Sequence, residues 1–515
     1  MSSWPKIHQT IIHMLVEAAE KFPEATALVH ESRQLNYIEY LHCVSGLARR
    51  LQGLASGKSL RGERVALICG NSLEMAVGLF AAHASGAQIV PVNPIYTSRE
   101  LKHILSDSEP IIVIYDLEIT EVVCPLLSKL NISHSIAIGG ETGERFDVWR
   151  DGSNLSLPEM PVPDDFATLQ YTGGTTGLPK GVNITHRQLS TNLSQREAGW
   201  PSREGVERIL CVMPLFHVYA SSMALHLAVY CKGQLNIISR YRPDIVLATI
   251  AKERVTLLPV GPTIFHGLMS YDGFKKADLS SLRVAYSGSA PLPEETLRRW
   301  EETTGCPILE GYGQSEAGPV VSVVQEGTPM IVGSVGKPLI GTVIQIVDVE
   351  TGLIIMDTGE QGEIRLKGPQ VMSSYRNRPE ETAEALRDGW LYTGDIGVLD
   401  QNGNLYIRDR KKDMVIVGGY NVYPREIDEV LYTHPDVSEA ASVGLVDDYY
   451  GEIVGACVTL RNGAVVTSGV LLDFCRQELA GYKVPSRINI LEEMPKTTVG
   501  KIDKLAIRKI FNNIK

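Results

Sequence analysis

Cysteine pairs with metal-ligand spacing are missing from this sequence of 515 residues. The eight cysteines are scattered, and none stands in a CxxC pair. We therefore expect reduced, buried thiols rather than a zinc site or a disulfide framework. The opening stretch MSSWPKIHQT also lacks the charged-then-apolar layout of a secretory signal, so we expect a cytoplasmic protein.

An excess of positive charge is missing as well. Lysine and arginine number 49 against 60 aspartate and glutamate residues, and the formal net charge is −11. A nucleic-acid interface needs a basic face, so this balance predicts that the protein binds no nucleic acid. It leaves room for a local basic pocket that holds a phosphate ligand.

Long apolar runs are the third absence. The longest run extends from His217 to Cys231, contains serines and ends at Lys232. A membrane span needs roughly 20 predominantly apolar residues, and this run is shorter. We expect a buried helix here and no integral membrane span.

The chain does have the composition of a globular protein, with 44% hydrophobic and 21% charged residues, and its length predicts two or more domains. Residues 65–69 and 88–92 are strand candidates that flank a helical stretch from Ser72 to Ala84, a strand–helix–strand unit typical of parallel sheets. Thr97 and Glu100 form a capping-box pattern that predicts a helix start. Further strand candidates lie at 111–115, 208–213, 234–238, 255–260 and 283–287.

The pattern changes after about residue 330. Residues 341–349, 362–366 and 404–408 alternate between apolar and polar side chains, which predicts antiparallel strands. A basic, polar cluster follows at Arg408–Asp413, and we place a domain boundary there. The predicted fold class is α/β: a large amino-terminal domain (1–410) of layered α/β subdomains plus a β-rich subdomain, and a small, mobile α+β carboxyl-terminal domain (411–515).

A glycine-rich loop, YTGGTTGLPKGV, occupies residues 171–182. Its glycines let backbone N–H groups approach a ligand, successive N–H groups can form an anion-binding nest, and Lys180 adds a positive charge. The spacing is not that of a Walker A loop, because Lys180 is followed by Gly181 rather than by serine or threonine. The segment predicts a phosphate-binding loop.

The string YTGGTTGLPKG resembles the phosphate-loop signature of the adenylate-forming superfamily, which contains acyl-CoA synthetases, peptide-synthetase adenylation domains and luciferases. Gly173 stands where the family usually has serine. Further segments match in the family's order, and they are MPLFHVYA (213–220), YSGSAPLP (286–293), EGYGQSEAGPV (310–320), GEIRLKGPQVMSSY (362–375), WLYTGDIG (390–397), RDRKKDMVIVGGYNVYPREIDEVL (408–431) and PKTTVGKIDK (495–504). The similarity covers about residues 10–510 and is greatest to fatty-acyl-CoA and 4-coumarate-CoA ligases.

The resemblance implies ATP, Mg²⁺ and coenzyme A as cosubstrates. It implies catalytic roles for Lys501, Lys180, His217 and Glu316, with Glu316 as the magnesium ligand and His217 as a gate to the acyl pocket. It implies contacts to ATP or coenzyme A from a larger set of residues, namely Thr172, Gly173, Gly174, Thr175, Thr176, Gly177, Lys180, Gly288, Ser289, Ala290, Pro291, Glu310, Gly311, Tyr312, Gly313, Ser315, Asp395, Ile407, Arg410, Gly418 and Gly419.

Several of these contacts have specific roles in the family. Tyr312 would pack on adenine, and Asp395 and Arg410 would hold the ribose. The small domain would rotate about Lys412. This rotation would withdraw Lys501 and bring Gly418 and Gly419 to a pantetheine tunnel. One site would thus serve two half-reactions.

The predicted function is an ATP-dependent acyl-CoA synthetase that forms acyl-AMP with release of pyrophosphate and then transfers the acyl group to coenzyme A. The acid pocket would be lined by residues 217–222, 262–266, 287–290 and 311–320. An amino-acid substrate is disfavoured because residues 213–222 contain no acidic side chain. A fatty acid is preferred; an aryl-acid (4-coumarate-like) CoA ligase and a free-standing loader of a carrier protein are the alternatives.

A nucleotide sensor without catalytic activity would be expected to lose Lys501 or Glu316, and both are present. The sequence leaves the oligomeric state open, a homodimer included.

Overall fold

The computed structural model describes residues 4–150, 157–158, 160–172, 179–329, 331–447, 449–497 and 500–513. Within them the strands are β1 Thr26–His30, β2 Arg33–Asn36, β3 Arg64–Ile68, β4 Gln88–Val92, β5 Ile112–Asp116, β6 His134–Ile138, β7 Phe166–Thr172, β8 Lys180–Thr185, β9 Arg208–Cys211, β10 Gln234–Ile237, β11 Leu257–Val260, β12 Val284–Ser287, β13 Ile308–Gly313, β14 Val320–Val323, β15 Lys337–Pro338, β16 Val343–Val347, β17 Gly362–Lys367, β18 Ser374–Tyr375, β19 Leu386–Arg387, β20 Trp390–Leu399, β21 Leu405–Arg410, β22 Val415–Val417, β23 Tyr420–Val422, β24 Val437–Asp447, β25 Gly451–Leu460 and β26 Arg487–Leu491.

The α-helices are α1 Ile11–Lys21, α2 Tyr37–Leu54, α3 Leu73–Ala84, α4 Ser98–Ser108, α5 Thr120–Lys129, α6 Phe146–Trp149, α7 His186–Gly199, α8 Val218–Ala220, α9 Leu227–Tyr230, α10 Pro243–Glu253, α11 Pro262–Met269, α12 Glu294–Thr304, α13 Pro379–Ala385, α14 Pro424–Thr433, α15 Ser468–Glu478 and α16 Lys504–Asn513. Short 3₁₀ turns occur at Leu117–Ile119, Phe274–Lys276, Ser315–Ala317 and Gly481–Lys483, and a π-helical turn at Ser221–His226.

Two mostly parallel sheets form the bulk of the large domain. One has the strand order β18-β8-β7-β4-β3-β5-β6, and the other has the order β15-β14-β13-β12-β11-β9-β10-β1-β2. Their central strands pair in parallel, and antiparallel pairs occur only toward the edges among the described strands. The predicted strand–helix–strand unit is confirmed as β3, α3 and β4, and the predicted parallel sheet with it.

Helix α3 shows why this region folds as it does. Every one of its residues is buried, because the sequence LEMAVGLFAAHA is apolar around most of the helix. Its start is capped by the Ser72 side chain, which accepts a hydrogen bond from the Met75 N–H. The capping box of Thr97 and Glu100 is confirmed at the start of α4.

The apolar run that starts at His217 is helical and buried, as predicted. Helix α8, the π-helical turn and α9 follow one another without a break from Val218 to Tyr230. None of the described helices combines the length and the apolar composition that a membrane-spanning helix requires.

A third, antiparallel sheet has the order β16-β17-β20-β19, with β21 paired to β20. It is the β-rich subdomain that the alternating pattern predicts. The polar cluster at Arg408–Asp413 is not simply a linker, however, because Arg408, Asp409 and Arg410 belong to β21. Strand β21 pairs Arg410 with Asp395 of β20, and this pairing holds the charged segment in the sheet.

The small carboxyl-terminal domain is built on a fourth sheet. Its order is β23-β22-β25-β24, and β26 pairs in parallel with β25. Helices α14, α15 and α16 complete the domain, which has apolar clusters of its own around Ile427, Val458 and Phe511. Because these clusters contain no residue of the large domain among the described ones, the small domain has an independent core.

Candidate functional site

The glycine-rich loop joins two paired strands at the edge of the first sheet. Thr172 ends β7, Lys180 begins β8, and these two residues are directly opposite in the antiparallel ladder. The predictions for Gly173, Gly174, Thr175, Thr176 and Gly177 lie outside the described residues.

Tyr375 connects the base of this loop with Glu316. The Lys180 ammonium lies 5.2 Å from the centre of the Tyr375 ring, and the Tyr375 hydroxyl donates to Glu316 Oε1 at 2.8 Å. Tyr375 is held there because β18 pairs with β8, where Tyr375 lies opposite Val182. Burial, together with the Glu316 carboxylate, raises the pKa of Tyr375, so its hydroxyl stays protonated and remains a donor.

Glu316 itself stands in the short 3₁₀ turn Ser315–Ala317, after β13. Its backbone carbonyl accepts a hydrogen bond from the Met372 N–H at 2.8 Å, which fixes the turn against the segment before β18. The structure therefore brings Lys180, Ser315 and Glu316 to one region, as the sequence predicts. Sequence reasoning gave Tyr375 no role, although it ends one of the matched segments.

A second group of polar side chains surrounds Asp395, which is 3% exposed. The Tyr312 hydroxyl donates to Asp395 Oδ2 at 2.6 Å, and Arg410 Nε lies 3.0 Å from Oδ1. Burial and the neighbouring carboxylate raise the pKa of Tyr312 well above its ordinary value, so the phenol is neutral. A carboxylate has about four lone-pair positions, and Asp395 therefore keeps acceptor capacity for a further ligand.

The carboxyl end of β12 forms a close contact with the helical segment after His217. A Cβ atom on Gly288 would lie 2.6 Å from Cε2 of the Tyr219 ring, so only glycine fits beside this ring. The Tyr219 hydroxyl donates to the Tyr286 carbonyl at 3.2 Å, which holds the ring in place. Ser289 continues the turn with φ +71°, a left-handed conformation, before Ala290 and Pro291.

The neighbouring strand β13 carries Glu310, Gly311, Tyr312 and Gly313. Glu310 is buried and lies beside Ser287 of β12 in the parallel register. A Cβ on Gly313 would lie 2.0 Å from the Pro319 carbonyl oxygen, so the chain must return closely over this position. The two strand ends thus bring together residues 288–291 and 310–313, two segments for which the family resemblance implies contacts to ATP or coenzyme A.

Lys501 extends from the small domain toward Asp395 and Arg410 of the large domain. The Thr497 N–H donates to the Lys501 carbonyl at 2.6 Å, and the Lys501 N–H donates to Thr497 Oγ1 at 3.2 Å, so a tight loop holds the lysine. Gly500 lies against the large domain, where a Cβ would be 3.5 Å from Thr263 Oγ1. Burial, and after it the charges of Arg410 and Lys412, lowers the pKa of Lys501 to about 8, although Asp395 opposes this shift.

His217 faces the same space. Its Nδ1 accepts a hydrogen bond from the Tyr219 N–H at 3.2 Å, which caps the start of α8. Burial, and after it the Lys501 charge, lowers the pKa of His217 to about 3. The imidazole is therefore neutral at pH 7, and its Nε2 carries the proton when Nδ1 is the acceptor.

The remaining predicted residues belong to the hinge side and the small domain. The Ile407 carbonyl accepts from Arg425 Nη1 at 2.5 Å. Gly418 and Gly419 form the turn between β22 and β23 with φ values of +56° and +88°, a conformation that favours glycine. The Gly418 N–H donates to the Tyr450 carbonyl at 3.0 Å, within the small domain.

The lowered pKa of Lys501 leads to a prediction about its reactivity. Only the neutral amine reacts with an acylating reagent, so labelling of Lys501 in the ligand-free protein should rise through a midpoint near pH 8, below the ~10.4 of an ordinary lysine. ATP phosphates should stabilise the ammonium and move the midpoint upward. Peptide mass spectrometry after brief acetylation measures both midpoints, and a midpoint above pH 10 without nucleotide would contradict the lowered pKa of Lys501.

Comparison with known proteins places these features in a family. The model of the AMP-binding enzymes matches residues 15–376, and the model of the AMP-binding enzyme carboxyl-terminal domain matches residues 426–501. The chain belongs to the AMP-binding enzyme family, the adenylate-forming superfamily that its motifs resemble.

Its similarity to individual members extends over nearly the whole chain. A long-chain-fatty-acid–CoA ligase of Bacillus subtilis is 37% identical over 530 residues, which cover 97% of this chain and 94% of the relative. A feruloyl-CoA synthase of an Amycolatopsis species is 35% identical over 515 residues, 99% of each chain.

Among solved structures, ATP-bound MatB from Rhodopseudomonas palustris has a TM-score of 0.90 and 28% identity, covering 98% of this chain and 99% of that chain. The apo form of MatB gives 0.79 with the same identity and coverage. The structure of the whole chain therefore superposes better on the ATP-bound form of MatB than on its apo form.

Proposed function

We propose that this protein is an ATP-dependent acyl-CoA synthetase that activates a fatty acid as acyl-AMP, releases pyrophosphate and transfers the acyl group to coenzyme A. The observation that carries the proposal is the position of Lys501. A partly buried lysine of the small domain lies beside Asp395, Arg410 and His217 of the large domain. Such a cation suits a reaction in which two anions meet.

Adenylation joins a carboxylate oxygen to the α-phosphorus of ATP and breaks the bond to pyrophosphate. The reactants repel one another, so cations must offset their charge in the transition state. Lys501 would contact the acyl and α-phosphate oxygens, and Lys180 would neutralise the pyrophosphate. Tyr312, Asp395 and Arg410 would hold adenine and ribose, while the neutral His217 would border the acid without a charge of its own.

Magnesium fits the residues present as a partner of ATP rather than as a resident of a protein cage. The described part of the chain contains no group of three or more His, Cys, Asp or Glu side chains arranged for a metal. Mg²⁺ is commonly held by one or two carboxylates together with substrate phosphates and water. Glu316 supplies such a carboxylate: Tyr375 engages Oε1, and Oε2 would be the ligand. The ion would neutralise phosphate charge when bound.

The second half-reaction requires a different position of the small domain. We place the domain boundary between residues 410 and 411 and the hinge at Lys412, directly after strand β21. Rotation there would withdraw Lys501 and bring the turn of Gly418 and Gly419 to the acyl adenylate. The coenzyme A thiolate would then attack the acyl carbon, and AMP would leave. The likeness to the ATP-bound form of MatB supports the first of the two positions for this structure.

The acid pocket favours an uncharged chain or ring. Tyr219 closes over Gly288, and Val320 is buried in another of the segments assigned to the pocket walls. The full-length similarity to long-chain-fatty-acid–CoA ligases supports a fatty acid. The flat Tyr219 ring against Gly288 and the similarity to feruloyl-CoA synthase support an aryl acid as the second candidate.

A substrate panel tests the proposal. Pyrophosphate release should depend on a carboxylic acid, should be greatest with fatty acids among C2–C18 acids, aryl acids and amino acids, and should be accompanied by a CoA thioester. Maximal activity with aryl acids would replace the fatty-acid assignment. Acid-dependent release with no thioester in the presence of coenzyme A would overturn the ligase assignment in favour of loading a carrier protein.

A further inference from the structure

We propose that Arg425 is a positioning residue that holds the small domain in the orientation in which Lys501 enters the site. The proposal rests on the proposed function, because it assigns Arg425 to the first of the two domain positions. Arg425 is the second residue of α14 in the small domain, and its contacts reach across to strands of the large domain.

The backbone of Arg425 is tied to the strand that carries Arg410. Its N–H donates to Asp409 Oδ2 at 3.0 Å, and the other carboxylate oxygen of Asp409 accepts from the Arg410 N–H at 2.7 Å. Asp409 is buried, so this pair of bonds is shielded from water. A carboxylate at the first turn of a helix also interacts favourably with the helix dipole. Asp409 therefore fixes the start of α14 relative to β21.

The side chain of Arg425 makes a second connection. Nη1 donates to the Ile407 carbonyl at 2.5 Å, and Nε lies 3.5 Å from Glu429 Oε1 on the next turn of α14. Only 15% of the side chain is exposed. The guanidinium thus lies between a backbone carbonyl of the large domain and a carboxylate of the small domain. Its planar array of donors suits such a bridging position.

Arg425 also supplies positive charge where carboxylates of both domains meet, Glu310 of the large domain and Glu429 of the small one. Glu310, immediately before the Gly311–Gly313 segment of the site, is buried; burial raises its pKa to about 7, and Arg425 opposes that shift. Burial likewise raises the pKa of Glu429, and Arg425 again opposes it. Without this cation, less positive charge would offset the repulsion between Glu310 of the large domain and Glu429 of the small domain.

These contacts stabilise one position of the small domain selectively. Ile407, Asp409 and Glu310 precede the hinge at Lys412, whereas Arg425 and Glu429 follow it. A rotation about Lys412 moves α14 away from β21 and separates the residues before the hinge from those after it. An interaction made in one state only shifts the equilibrium toward that state. Because His266 and Ser438 also join the domains, at 3.0 Å, loss of Arg425 should weaken this position without abolishing it.

The test separates the two half-reactions in Arg425→Met and Arg425→Lys. Arg425→Met should lower acid-dependent ATP–pyrophosphate exchange by about tenfold, and thioester formation from supplied acyl-AMP should stay within about twofold. Arg425→Lys keeps the positive charge but loses the planar set of guanidinium donors. Its rate of ATP–pyrophosphate exchange should therefore lie between those of Arg425→Met and the unaltered protein. Arg476→Met is the matched control, since Arg476 is exposed and pairs with Asp473 on its own helix.

Hydrogen–deuterium exchange gives a readout that does not depend on turnover. Peptides covering β21 and the first turns of α14 should exchange faster in Arg425→Met than in Arg476→Met. Equal exchange in these peptides, or an equal loss of both half-reactions, would overturn the positioning role. If the unaltered protein shows no acid-dependent ATP–pyrophosphate exchange, the proposed function fails instead. The hydrogen–deuterium exchange of these peptides then still decides whether Arg425 fixes the contact between the domains.

Discussion

Replacing Lys501 by alanine is expected to reduce acyl-AMP formation by about a hundred- to a thousandfold, the range seen when one preorganised transition-state donor is removed. Thioester formation from supplied acyl-AMP should stay within a few-fold of the unaltered protein. The reason is positional: Lys501 lies beside Asp395, Arg410 and His217 in this structure, and a rotation about Lys412 would remove it before the thiolate attacks.

ATP–pyrophosphate exchange measures the first step, and CoA thioester production from synthetic acyl-AMP measures the second. Lys509→Ala is the control, because Lys509 is exposed on α16 of the same domain. Should Lys501→Ala impair both steps to the same degree, one domain position would have to serve both reactions.

The exchange of Glu316 for glutamine should have the second-largest effect. The change keeps the shape and the hydrogen bond from Tyr375 but removes the charge. A neutral amide is a poorer ligand for Mg²⁺ than a carboxylate, so the magnesium concentration for half-maximal adenylation should rise about tenfold or more and the maximal rate should fall about a hundredfold. Magnesium titrations of pyrophosphate exchange measure both quantities.

Glu350→Gln serves as the matched control, since Glu350 is exposed on the loop after β16. An unchanged magnesium dependence in Glu316→Gln would refute the assignment of this carboxylate to the metal. It would leave the Glu316 side chain as the acceptor of the Tyr375 hydroxyl.

The sequence predicted the layered fold well where local signals are strong. The strand–helix–strand unit around α3 and the capping box at Thr97 depend on residues close together in the chain, and both are confirmed. Strand ends were less accurate; the strand predicted over 255–260, for instance, is Leu257–Val260. The residues at which a strand begins and ends depend on the strands that pair with it, and a single sequence does not reveal which strands will pair.

The site was predicted through motifs, and its geometry was not. The position of Tyr375 between Lys180 and Glu316 depends on β18 adding to β8, segments almost two hundred residues apart. The role we assign to Arg425 depends in the same way on one domain lying against the other. Residue patterns identify such side chains only as charged or aromatic, because the contacts that give them a role are long-range.

The identity of the acid is the least predictable feature, since it depends on the shape of an apolar pocket. Tyr219 illustrates the point: its place against Gly288 follows from the path of α8 and the end of β12. Residues 213–222 contain no acidic side chain, so the sequence marks no charged partner there for a group of the substrate. Catalytic charges are easier to recognise, because the chemistry demands particular residue types.

The proposed reaction begins when a carboxylate oxygen attacks the α-phosphorus of ATP. A fatty acid labelled with ¹⁸O in its carboxyl group tests this directly when the protein turns it over with ATP and coenzyme A. We expect each AMP formed to carry one ¹⁸O atom, because the bridging oxygen stays on phosphorus when the thiolate attacks the acyl carbon. Thioester formation with unlabelled AMP, or with the label in inorganic phosphate, would contradict it.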